Sequence, residues 1–91
     1  MTLQGNLQIE FDHGSYILTV KTILLKGVYY FFIHDLENTH ALLSGHTLEL
    51  VYTDSFIAVD NIAGNTSNKI PAEIITAIKV MLLDNKLLWY Y

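Results

Sequence analysis

Cysteine is absent from the 91 residues, which excludes disulfides, thiolate metal sites, iron–sulfur clusters and a cysteine nucleophile. Arginine is absent too. The basic residues are the lysines Lys21, Lys26, Lys69, Lys79 and Lys86, spread singly along the chain, so no guanidinium fork is present to grip phosphate, guanine or carboxylate. Charge of either sign is scarce: charged residues make up 15% of the chain, against ~25% in an average soluble domain. The net charge of −4 argues against nucleic acid as a partner, because a phosphate backbone is held mainly by cations. Long apolar runs are also missing. The longest, Val28 to Ile33, is far too short to span a bilayer, and the first residues lack the basic and apolar stretches of a secretory signal. The sequence therefore predicts a cytoplasmic protein with no membrane partner.

What is abundant is apolar surface. Hydrophobic residues reach 52% and aromatics 12%. A chain of this length predicts one domain over 1–91, burying roughly 64% of its unfolded surface, enough for one modest core. No repeat, low-complexity segment or interdomain linker interrupts it.

Strand periodicity dominates the first half. Leu7, Ile9 and Phe11 alternate with Gln8, Glu10 and Asp12, the period-2 pattern of a half-buried strand. A His13-Gly14 loop then predicts a hairpin pairing Phe11 with Tyr16, Ile9 with Leu18, Leu7 with Val20 and Leu3 with Leu24, all apolar. A second turn at Lys26-Gly27 places Tyr29, Phe31 and Ile33 on the same face as Val20 and Leu24. The opposite face then carries Tyr30, Phe32, His34 and Leu36 beside Ile17, Lys21 and Ile23. A strand apolar on both sides reads as central. This face assignment holds only if the loop has two residues, since a bulge would swap the faces.

Residues 37–46 read as a connection, with a helical turn expected around Ala41, Leu42 and Leu43. Leu48, Leu50 and Tyr52 predict a fourth strand, and Phe56 to Val59 a fifth, with Ile57 facing Tyr52 across a turn at Asp54-Ser55. The polar stretch from Asn61 to Asn68 reads as the loop leading to a helix over Pro71 to Asp84. That helix has Pro71 and Glu73 suited to its first turn and an apolar stripe at Ile74, Ile75, Ile78, Met81 and Leu82, with Glu73, Thr76 and Lys79 facing water. The predicted fold class is α+β: an antiparallel β-meander of four to five strands packed on one C-terminal α-helix.

Chemistry-bearing motifs are thin. His13, His34, His40 and His46 lack the i, i+2 or i, i+4 spacing that places two ligands on one face of a strand or helix, so no metal is expected. There is no nucleophile elbow, and His34 and Asp35 are adjacent on a strand and point to opposite faces. Asp12, His13 and Ser15 are close together, but they are ordinary turn formers at a hairpin tip with no pocket to exclude water. None of the five glycines forms a phosphate-binding run, so no nucleotide cofactor is expected. Lys26-Gly27 followed by Val28 to Ile33 resembles the start of an RNA-stacking strand of the RNA-recognition motif. The resemblance ends after two residues, because that motif wants a small residue where Tyr29 stands.

Apolar surface is the remaining resource. One helix covers one sheet face, so the second, with Ile17, Ile23, Tyr30, Phe32 and Leu36, needs another cover. The tail Lys86 to Tyr91, with Leu88, Trp89 and Tyr90, is apolar where a free terminus is usually polar. These residues predict a non-enzymatic interaction module without cofactors that binds a second copy or another protein through the aromatic sheet face and the tail. The alternative expectation is a small-molecule binder or enzyme with a site between sheet and tail recruiting His34, Tyr30 or Trp89.

Overall fold

The computed structural model describes residues 2–53, 56–64 and 70–85. Five strands, β1 (Thr2–Phe11), β2 (Gly14–Leu25), β3 (Val28–Asp35), β4 (Thr47–Thr53) and β5 (Phe56–Ala63), pair antiparallel in chain order, and the helix α1 (Ala72–Asp84) follows. This is the α+β meander that the alternating strands and the one helical stripe predict.

The first hairpin turns one residue earlier than expected. Its loop is Asp12-His13, with φ of 49° and 65°, and Phe11 pairs with Gly14. Two consecutive left-handed residues make the turn that matches strand twist, and aspartate and histidine are among the side chains that tolerate that region. Gly14 sits in the strand instead, where a Cβ would lie 2.7 Å from the Tyr16 hydroxyl and 2.9 Å from its ring, so a larger residue would have to displace the Tyr16 side chain. The pairs accordingly become Leu7 with Leu18, Ile9 with Tyr16 and Leu3 with Thr22. Because each strand slips by one residue, the two slips cancel in parity and every side chain stays on its predicted face. Replacing Asp12-His13 by Asn-Gly should relieve the left-handed strain and raise the melting temperature by a few degrees, roughly 0.5–1 kcal/mol. A melting temperature that fell would show that the tip is not strained.

The second turn is Lys26-Gly27 as expected, both residues at positive φ, with Leu25 opposite Val28 and Val20 opposite Ile33. Tyr29, Phe31 and Ile33 therefore share the core face with Val20 and Leu24. Across the β3–β4 ladder, Phe31 meets Leu50 and Ile33 meets Leu48, while Tyr29 stacks on Phe31 and meets Tyr52 edge-on, each with ring centroids 6.4 Å apart.

β5 runs further than the sequence predicts. It begins with Phe56 opposite Thr53 and Ile57 opposite Tyr52, as expected, but continues through Asn61 to Ala63 after a bulge that leaves Asp60 without a partner on β4. The bulge explains the missed extension: it resets the alternation, so that Ile57 and Ile62, an odd and an even position, both belong to the core side.

No helical turn forms around Leu42. The Asp35 carboxylate instead accepts the backbone N–H groups of Leu42 (2.7 Å) and Leu43 (3.0 and 3.2 Å), folding the connection so that both leucines enter the core. Asp35→Ala would leave two partly buried donors unsatisfied and remove charge-assisted bonds, an expected loss of about 2 kcal/mol in denaturant unfolding. Asp35→Asn, whose amide oxygen still accepts, should lose less. Equal losses would mean that the charge contributes nothing.

Helix α1 starts after Pro71 and buries Ile74, Ile78 and Leu82, with Ile75, Ala77 and Met81 half-buried beside them. Glu73 and Thr76 face water as predicted, whereas Lys79 is half-buried. The helix is centred over β1 and packs on the face that carries Leu7, Ile9, Leu18, Val20, Phe31, Ile33, Leu48 and Leu50.

Candidate functional site

The opposite sheet face is the candidate site, and strand register builds it in rows. Ile23 on β2 lies beside Tyr30 on β3, Val51 on β4 and Ala58 on β5. The next row is Lys21, Phe32, Glu49 and Asn61, with Asn61 Nδ2 donating to Glu49 Oε2 at 3.2 Å. Phe32 is thus an aromatic flanked by a cation on one neighbouring strand and a carboxylate on the other. Ile17 extends the apolar area along β2, and Leu36, just beyond β3, is held beside it by its N–H donating to the Ile17 carbonyl at 3.1 Å.

Ile17, Ile23, Tyr30, Phe32 and Leu36 are all half-buried, and none belongs to the core cluster or to its partly buried fringe. Among the described residues the only helix lies on the other face. Leu88, Trp89 and Tyr90, the other candidate residues, lie outside the described residues, and so does the possible site between sheet and tail.

Sequence reasoning missed four contributors. Leu25, 56% exposed, and its partner Val28 extend the apolar rows at the end where Lys26-Gly27 turns, and Phe56, 57% exposed, stands at the same end on β5. Val51 fills the centre. Their signal was present in strand parity: each is an even or odd neighbour of a residue already placed on that face.

The chemistry-bearing residues do not converge. His34 is exposed on the candidate face with Nδ1 2.9 Å from the Asp35 carbonyl oxygen, while the Asp35 carboxylate is engaged by the 42–43 backbone on the core side. His40 meets the Tyr16 ring at 5.8 Å, and His13 forms the first turn. His46, expected as a plain loop residue, is 3% exposed, and neither ring nitrogen has a hydrogen-bond partner among the described residues. It is packed beneath Gly64, where a Cβ would come 3.3 Å from Nδ1 and 3.0 Å from the Gly45 carbonyl oxygen, so only glycine lets the end of β5 pass this closely. An unpaired buried imidazole costs about 1–3 kcal/mol. Among the described residues no three histidine, aspartate or glutamate side chains form a metal-sized group, and no helix is long and apolar enough to cross a membrane.

No family model, curated protein or solved structure matches this chain.

Proposed function

We propose that the protein is a non-enzymatic, cytoplasmic interaction module that associates with a second copy of itself through the outer sheet face. The observation that supports this most is the row Lys21, Phe32, Glu49: it is self-complementary. A two-fold axis running along β3 between two facing sheets sets the Lys21 of one copy over the Glu49 of the other, on both sides of a central pair of Phe32 rings. Such an isologous contact satisfies charge and buries aromatics with one patch. Size fits as well. Five strands ~4.8 Å apart and ~25 Å long give a face of ~600 Å², close to the ~800 Å² that each partner of a standard interface contributes.

The test is mass in solution. Wild-type protein should scatter light as a dimer at high micromolar concentration, and Tyr30→Ser with Phe32→Ser should reduce it to a monomer with unchanged circular dichroism. Lys21→Glu should weaken association, and adding Glu49→Lys should restore it by exchanging the charges. A monomeric wild type overturns the proposal, and failure of the exchange to restore the dimer overturns the two-fold axis along β3.

A further inference from the structure

Among the described residues a second surface is open at the sheet edge. β1 and β5 are the edge strands, and they differ in how they guard against pairing. β5 carries a bulge and the exposed Asp60, both common edge protections. β1 carries the exposed Glu10 but no bulge: it runs ten residues without lysine or proline in an unbroken register with β2. In an antiparallel pair every second residue turns its N–H and C=O away from the partner strand, so one side of β1 presents a regular row of backbone groups that no other described strand pairs with.

Alongside it lies an open groove of about 560 Å³ between β1 and α1, lined by Gln8, Ile9, Glu10, Ala77, Val80 and Met81. Val80 is 51% exposed. The helix stripe on this flank, Glu73, Ala77, Val80 and Asp84 at i, i+4, i+7 and i+11, is apolar in the middle and acidic at both ends. Glu10 adds a carboxylate from the strand, and among the described residues no basic residue lines the groove.

We infer that the β1 edge takes an extended segment of a partner protein as a sixth strand, one that alternates apolar residues with lysine or arginine. Backbone hydrogen bonds to β1 supply affinity that is independent of sequence. The apolar side chains on one side of the added strand seat against Ile9, Ala77, Val80 and Met81, and its cations, on the other side, meet Glu10 on the outer face of β1. A second copy suits this edge poorly: two-fold pairing of β1 with β1 would run the two helices antiparallel, setting Glu73 against Asp84. The outer face used for self-association stays free in this arrangement.

The probe is a short capped peptide alternating lysine and valine, about eight residues long to match the ladder. Titrated into isotope-labelled protein, it should shift amide signals of β1 and of residues 77–81 saturably, with a Kd below about 1 mM. Val80→Lys, a change at an exposed position, should weaken binding about tenfold without unfolding the protein. A glutamate–valine peptide should bind at least as weakly, and backbone N-methylation of the lysine–valine peptide should abolish binding. No saturable shift, equal binding of the acidic peptide, undiminished binding after N-methylation, or shifts confined to the outer face each overturn the inference. So does a Val80→Lys protein that loses its dimer, which would assign the edge to self-association.

Discussion

Ile78→Asp should unfold the protein. Ile78 is 0% exposed at the middle of α1, inside the cluster formed with Leu7, Ile9, Leu18 and Val20. A carboxylate there would be buried with no cation among the core residues, and protonating it would still leave a polar group in a site shaped for a branched alkyl chain. Either state costs several kcal/mol, against a total stability of roughly 5–15 kcal/mol for an ordinary domain. Thr76→Asp places the same side chain two residues away on the exposed face, where surface substitutions change stability by about 0.5 kcal/mol or less. Circular dichroism at room temperature should therefore show one unfolded and one folded variant. Two folded variants would mean that the helix is rotated relative to the sheet.

That experiment probes a feature legible in the sequence, since the spacing Ile74, Ile78, Leu82 identifies the buried stripe without any structure. The strands and their faces were legible for the same reason: period 2 survives small errors in loop position, and the displaced first turn changed partners without changing faces. What could not be read were departures from period. The bulge at Asp60 made Asn61 look like the start of a loop, because one extra residue breaks the alternation that marks a strand. The Asp35 clamp was hidden because a carboxylate beside a histidine gives no sign that it will bind backbone seven and eight residues further on. His46 was illegible in another way: its burial depends on the close passage of Gly64, a contact between segments far apart in sequence. For the candidate site, parity places the apolar residues of β2 and the aromatics of β3 on one face, but the charged flank from Glu49 required the β3–β4 register, which no local pattern specifies.

Phe31 and Phe32 offer the sharpest comparison, because the same side chain occurs on adjacent residues with opposite surroundings. Phe31 is 0% exposed and packed among Leu50, Tyr29 and the rest of the core, so Phe31→Ala should cost about 3–5 kcal/mol through lost burial and a residual cavity. Phe32 is half-buried between Lys21 and Glu49 on the outer face. In dilute protein, where no dimer forms, Phe32→Ala should cost only ~1 kcal/mol, the worth of cross-strand packing on an open sheet face. At high concentration the order of effects reverses for association: Phe32→Ala should weaken the dimer, while any Phe31→Ala protein that remains folded should still form it. Denaturant midpoints at low and high protein concentration measure both. If Phe32→Ala proves as costly as Phe31→Ala in the monomer, the outer face is covered within its own chain, and self-association through it is excluded.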